Sequence, residues 1–447
     1  MRSNRKATPR RFCRSSTAED NAAVRSVSFR VPMNVSDRLE ERLTGVRLAV
    51  LRELSQLADG HDIDLYLVGG SVRDILANAP LNDIDIMASD NPERLIASIH
   101  GRGEVEIRKA SAFGTWSLTL RAVEVDLATA RRETYVHPGA LPKVFPGTVE
   151  DDLARRDFTI NAMAISLTKD SWGDLLDPHG GLGDLEGGLI RVLHDRSFED
   201  DATRILRAVR YTCRLNFQLE SCTGSLLEKG IEYLRTISPD RVRHEMERIF
   251  REPCACAMLE MAGRSGVLTA IHPGLRADSV ALRVIDAQAM QKDRARRDGL
   301  MLGSMVQSIA EYNVESIVER LNLNADWARL VRDVATVRER LRELEDEDLT
   351  RSRVYRLLHG LHENAIESCA MAERNRKAKG WLRLYLDELQ HMRPLLTGSD
   401  LMALGVKEGP AVGQLLTELL DARLDGLVES VEDEEELVRR ALSDLSV

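Results

Sequence analysis

Strand-forming signals are confined to one end of this sequence. Between Asp64 and Leu167 short apolar or alternating runs recur, whereas from Phe198 onward apolar residues fall almost wholly at helical spacing. A chain patterned in this way excludes an all-β fold and a regular βα alternation; it dictates an α+β fold, a small mixed-sheet α/β head followed by helices. Within the head, Ser36 to Leu57 reads as helix, Asp64 to Gly69 as a buried strand ended by Gly-Gly, and Ser71 to Ala77 as a restarted helix. Asp83 to Ala88 alternates as a strand, and Gly114 to Leu120 with Val123 to Ala128 reads as a hairpin. Arg131 to Pro146, broken by Pro138 and Pro142, reads as a loop, and Asn161 to Leu167 as the closing strand.

At 447 residues the chain is longer than one hydrophobic core usually supports. The expected division is a mobile basic extension over 1–33, the head over 34–170, a helical neck over 171–260, a helical body over 261–395 and a helical tail over 396–447. Glycine-rich Thr397 to Gly413 marks the entrance to the tail. Charged residues are 30% and aromatics 4% of the chain, a balance that supports a folded, helix-rich protein. No run approaches the ~20 apolar residues of a membrane span, and the basic start lacks the apolar centre of a secretory signal, so a cytoplasmic protein without a membrane partner is expected. The six cysteines are scattered, and Cys254-x-Cys256 has neither the spacing nor the partners of a zinc site. A net charge of −10 argues against nucleic acid as a partner of the whole surface. Basic residues nevertheless cluster at Arg131-Arg132, Arg155-Arg156 and Arg204 to Arg214, while acids crowd into Glu343 to Asp348 and Glu429 to Glu436. A basic cleft on an acidic body accommodates both facts.

The residues most pointed towards chemistry are Gly69-Gly70-Ser71-Val72-Arg73-Asp74 and, shortly after, Asp83-Ile84-Asp85. Residues two apart on a strand share a face, so Asp83 and Asp85 set two carboxylates side by side. That repulsion is relieved by a divalent cation between them, and such hard oxygen ligands suit Mg²⁺ that also holds substrate phosphates. Gly69 and Gly70 end a strand and open a helix, a junction where backbone N–H groups approach a phosphate. Arg73, one turn in, adds charge-assisted hydrogen bonds to a triphosphate. In Val123 to Leu127, Glu124 and Asp126 share a face that an adjacent strand could bring to the metal; of the two, Asp126 is the preferred third carboxylate.

These stretches resemble the signature of the class II tRNA nucleotidyltransferases, the bacterial CCA-adding enzymes and related bacterial poly(A) polymerases. Four further stretches match in order: Arg155 to Ala164 resembles the motif that contacts nucleotide and sugar, and Asp177 to Leu185 the hinge between head and neck. Asp200 to Arg210 resembles the helix that recognises the incoming base, and Ser238 to Glu245 the helix that buttresses it. The resemblance departs from the family where Asp200 replaces a glutamate and Ala202 a proline.

The resemblance implies a nucleotidyltransferase head and a tail that binds tRNA. It implies transfer of C, C and A from CTP and ATP to the tRNA 3′ end. In that scheme Asp83, Asp85 and Asp126 are catalytic, with Asp83 and Asp85 the Mg²⁺ ligands. Gly69, Gly70, Arg73 and Arg156 bind the nucleotide with Asp201, Arg204, Arg207 and Arg210. On a helix the last four fall on one face, where a carboxylate accepts from an exocyclic amino group and guanidiniums donate to ring acceptors. The segment Arg131 to Pro146 stands where the family's flexible loop helps switch between cytidine and adenosine. Addition of A alone, of C-C alone, or of long A tails are the alternatives within the family, and a non-catalytic RNA-binding protein is the alternative outside it.

Overall fold

Alternation along the short apolar runs decides which way each strand of the head faces. In the computed structural model, which describes residues 33–81, 83–100, 105–110, 114–277, 282 and 293–444, strand β1 (Leu65–Val68) sends Leu65 and Leu67 into the main core and Val68 to a smaller cluster on the opposite face. Strand β2 (Asp85–Ala88) does the same with Ile86 and Ala88 against Met87. The strand is shorter than the alternation suggests, with Asp83 just ahead of it. The expected extension over 1–33 lies, apart from Met33, outside the described residues.

Strands β3 (Val105–Ala110), β4 (Thr115–Leu120) and β5 (Val123–Thr129) follow, the last two forming the expected hairpin. Strands β6 (Arg131–Thr134) and β7 (Lys143–Pro146) pair as a separate antiparallel ribbon. This corrects the reading of Arg131 to Pro146 as a loop: alternating side chains and paired backbone carry the ribbon despite its prolines, which sit in the turn and at the end. Strand β8 spans only Ala164–Ser166, because Thr159–Asn161 turns as a short 3₁₀ helix. With β9 (Leu175–Leu176) the sheet order is β3-β4-β5-β2-β1-β8-β9, and β2–β5 is a parallel pair within an otherwise antiparallel sheet.

Helices α1 (Ser36–Arg42), α2 (Val46–Asp59), α3 (Gly70–Leu76) and α4 (Glu93–His100) contribute to the main core, and α5 (Val149–Ala154) covers part of the other face through Val149 and Leu153. After the sheet comes α6 (Gly181–Glu186), whose first N–H groups are capped by the Asp177 carboxylate at 2.6 and 3.0 Å. Then come α7 (Ser197–Asp200), α8 (Thr203–Leu215), α9 (Ser221–Gly230) and α10 (Pro239–Phe250). The main core runs on without a break through the later helices, whereas Leu396, Leu401, Val406, Leu415, Leu419 and Val438 form a separate cluster in the tail. No described helix is long and apolar enough to cross a membrane.

Candidate active site

The polar face of the sheet gathers the carboxylates. Asp85 of β2 lies directly opposite Asp126 of β5 in the parallel register, and both point away from the main core that holds their neighbours Ile86, Val125 and Leu127. Burial, reinforced by Asp126 and Asp83 and opposed by Arg156 and Arg73, pushes the Asp85 carboxyl from its usual 3.8 up to about 6. The turn ahead of β2 is fastened by Ser71, whose hydroxyl donates to the Asp83 carbonyl and accepts the Asp85 N–H, each at 3.0 Å. Ser71 therefore locks the Gly-Gly junction to the aspartate turn, a role that spacing alone does not reveal.

Gly69 has φ +67°, and a Cβ there would lie 2.6 Å from Arg156 Nη1 and 4.0 Å from Asp85 Oδ2. The missing side chain thus makes room for a guanidinium next to the carboxylate pair. Arg156 is held by the buried Asp152 at 2.9 Å, and Asp152 also takes Arg155 at 2.7 Å.

A second network joins head to neck. Arg73 is buried and paired with Asp74 at 2.7 Å, and its Nη1 donates to Asn161 Oδ1 at 2.7 Å. Asn161 donates in turn to Asp157 Oδ1 at 3.0 Å, and Asp157 Oδ2 takes Arg207 of α8 at 2.6 and 2.8 Å. Burial works against ionisation of Asp157, but Arg207 and the Asn161 hydrogen bond outweigh it and hold the carboxyl below its usual value. Asp157 and Asn161 carry this link without having been singled out by the sequence; the signal was present as an acid directly after Arg155-Arg156 in a stretch that is otherwise apolar.

The row expected to face a base is altered in two ways. Asp201 stands ahead of α8, not on it, in extended backbone, because its carboxylate caps the helix start by accepting the Thr203 N–H at 3.0 Å and hydroxyl at 2.6 Å. Arg241 of α10 reaches the same oxygen, Oδ1, at 2.7 Å, so Oδ2 has no hydrogen bond among the described residues. Arg210 is turned out of the row: it is buried against Glu245 at 3.0 Å and ties α8 to α10 instead of lining the cavity. Helical spacing put Arg210 in line, but α10 supplied a buried acid. Arg204 does line the cavity, donating to the Ser197 hydroxyl and the Arg155 carbonyl, both at 2.7 Å.

The ribbon closes one side. Glu133 of β6 bridges Arg155 at 3.0 Å and Arg131 at 3.1 Å, and the Tyr135 hydroxyl donates to it at 3.1 Å. Beyond, Gly139 lies so near Thr236 in the neck that a Cβ would collide with the Thr236 backbone.

Together these side chains enclose a cavity of about 650 Å³, within the range of small-molecule sites. Gly69, Gly70, Arg73, Asp83, Asp85, Arg156, Asp201, Arg204 and Arg207 all line it; Asp126 and Arg210 do not. Two buried donors of its lining, Arg156 Nε and Arg241 Nη1, have no acceptor among the described residues, a cost that an arriving phosphate or base would relieve. No group of three or more Asp, Glu, His or Cys side chains among the described residues is gathered into a ready metal cage. Mg²⁺ needs no such cage, since it binds through one or two carboxylates with substrate phosphates and water completing the shell, and Asp83 and Asp85, which both line the cavity, could supply them.

Residues 65–191 match the Poly A polymerase head domain, and residues 216–278 the probable RNA and SrmB-binding site of polymerase A. The chain is 31% identical to the A-adding tRNA nucleotidyltransferase of Halalkalibacterium halodurans over 90% of its own length and 94% of that protein's. It is also 31% identical to the A-adding tRNA nucleotidyltransferase of Geobacter sulfurreducens, of which it spans just under half, 46%. The Thermotoga maritima CCA-adding enzyme complexed with tRNA superimposes with a TM-score of 0.74 at 29% identity, covering 92% of this chain and 99% of the other. An apo CCA-adding enzyme superimposes with a TM-score of 0.80 at the same identity and coverage.

Proposed function

Because the chain belongs to the tRNA nucleotidyltransferase and poly(A) polymerase family, we propose that it transfers nucleotides from CTP and ATP to the 3′ end of tRNA, building C, C and A and releasing pyrophosphate. The observation that carries this reading is the pair Asp83 and Asp85, backed by Asp126, set at a cavity that eight arginines also line. Carboxylates in a phosphate-binding cleft weaken binding unless a cation bridges them to the substrate. When bound by Asp83 and Asp85, Mg²⁺ supplies charge neutralisation on the triphosphate and lowers the pKa of the attacking 3′-hydroxyl.

The chain's own residues do the rest. The Gly69-Gly70 junction and Arg73 hold the triphosphate, and Arg156 lies over Gly69 to steady the phosphate next to the carboxylates. The 3′-oxygen then bonds to the α-phosphorus while the bond to the pyrophosphate oxygen breaks. Asp201, oriented by Arg241 and Thr203, offers Oδ2 to an exocyclic amino group, which cytosine and adenine both carry. Arg204 supplies donors beside it. The helical neck, body and tail take the acceptor arm of tRNA through shape and backbone contacts.

A second reading, addition of the terminal A alone, is favoured by one observation: the Halalkalibacterium halodurans protein, one of the relatives matched nearly end to end, is named A-adding. Labelled tRNA ending at the discriminator base, at C or at C-C, given CTP, ATP or both with Mg²⁺, separates the two. Growth of the shortest substrate by C, C and A, and no further, is the result expected of the first reading. Extension of only the C-C substrate by one A means the second, long A tails mean a poly(A) polymerase, and tRNA binding without incorporation means a non-catalytic protein.

Gly69→Ala tests the positioning of Arg156. Its backbone strain and the clash with Nη1 should leave a folded protein whose kcat falls by about 10²-fold, the scale of a displacement of about 1 Å at a reacting centre. A kcat within twofold of the parent in steady-state incorporation would show that Arg156 is not needed there.

A further inference from the structure

Three guanidiniums from two parts of the chain converge on one ring. Tyr211 of α8 is 8% exposed, and the Cζ atoms of Arg73, Arg207 and Arg210 lie 5.3, 5.7 and 5.4 Å from its centroid. Phe158 packs edge-on against it at 5.8 Å and 81°. Arg207 reaches the ring from one helical turn below, and Arg210 from the preceding position. Arg73 comes from α3 in the head, so the ring stands at the seam between the two parts of the cavity.

Like charges drawn together repel, most of all where water is largely excluded. Each guanidinium has its own carboxylate: Asp74 for Arg73, Asp157 for Arg207 and Glu245 for Arg210. These partners neutralise charge, and Asn161 with Asp157 already links Arg73 to Arg207 by hydrogen bonds. The ring adds a second, stiffer link. Its faces are negative and attract guanidinium, and its bulk keeps the two from approaching further.

We propose that Tyr211 is a positioning residue: its ring sets the spacing between Arg73, at the triphosphate end of the cavity, and Arg207, on the helix that faces the base. Arg73 and Arg207 both line the cavity, so a whole nucleotide that meets both senses the spacing; a fragment bound at one end does not. This inference rests on reading the cavity as a nucleotide site and adds to it a residue that touches neither the metal ligands nor the base-reading carboxylate.

The test uses the full chain with Tyr211→Phe, Tyr211→Leu and Tyr211→Met, and compares binding of ATP and of inorganic triphosphate in Mg²⁺ without RNA, alongside thermal melts. The Phe variant, which keeps the ring, should bind ATP within about threefold of the parent. The Leu and Met variants should lose about tenfold in ATP affinity while holding triphosphate within about twofold. Equal losses for ATP and triphosphate would reduce Tyr211 to a local packing group at Arg73 and overturn the proposal, as would a Phe variant as weak as Leu, or no loss at all. Unfolding of both Leu and Met variants would likewise assign the ring to the fold. If the parent itself binds triphosphate but not ATP, the nucleotide reading of the cavity fails, and the proposal fails with it.

Discussion

An Asp83→Asn, Asp85→Asn double variant should lose Mg²⁺-dependent nucleotide incorporation by about 10³-fold or more, because the carboxylate charge that holds the cation against the triphosphate supplies several kcal/mol of transition-state stabilisation. The same change should make the metal-free protein more stable. In the folded chain the Asp85 carboxyl titrates at about 6 instead of 3.8, so between those values the folded state binds more protons than the unfolded one. Stability conferred by protonating this group is therefore fully present below 3.8 and lost as pH rises through about 6. Above that pH the ionised carboxylate costs the metal-free fold up to about 3 kcal/mol, and Asp85→Asn removes that cost. Melting curves in chelator should show the Asn variant above the parent at pH 8 and the two converging towards pH 4. Added Mg²⁺ should raise the parent's melting temperature and leave the double variant's unchanged. A double variant that still incorporates nucleotide at more than a tenth of the parental rate would remove Asp83 and Asp85 from the reaction.

Asp157→Ala should be the most destabilising single change in the cavity wall. It leaves Arg207 without its carboxylate and strips hydrogen bonds from Asn161 and the Phe158 N–H, the situation in which a broken buried pair costs about 3–5 kcal/mol. Removing both partners behaves differently. Asp157→Leu with Arg207→Met replaces the pair by apolar volume, and denaturant melts should recover most of the lost stability. Nucleotide incorporation should not recover, since Arg207 lines the cavity and Asp157 holds Asn161 against Arg73. Recovery of both would mean that the network serves only the fold.

The parts of the site that were legible in the sequence are those set by local geometry. Gly69-Gly70 marks a strand-to-helix turn because few residues but glycine tolerate the φ of +67° at Gly69, and Asp83-x-Asp85 stands out by the two-residue period of a strand although only Asp85 lies on β2 and Asp83 is in the turn ahead of it. Asp126 was found by the same period, but its place opposite Asp85 depends on a parallel pairing that no local pattern encodes. Long-range partners account for what was misread. Arg210 has the spacing of Arg204 and Arg207, yet Glu245, from a helix further along, draws it out of the row. Asp201 looks like the first residue of a helical face until its carboxylate is seen to cap that helix. The ribbon of β6 and β7 was hidden by proline punctuation, strand β3 by Lys109, which breaks its apolar alternation, and helix α5 by its short length.

The tail's separate cluster, from Leu396 to Val438, has a consequence for how such a molecule diversifies. Its packing shares no residue with the main core, yet the helix Pro410–Leu424 that gives it Leu415 and Leu419 also carries Leu424 into that core. Within the tail, Glu434, fully enclosed, accepts the N–H groups of Leu395 and Leu396 at 2.8 to 3.0 Å, while Asp425 takes the Ser352 N–H and hydroxyl at 2.8 and 2.7 Å and Asp421 pairs with Arg356. Changes to the tail's own cluster are therefore tolerated by the rest of the chain as long as the anchor of Leu424, Asp425 and Asp421 is kept.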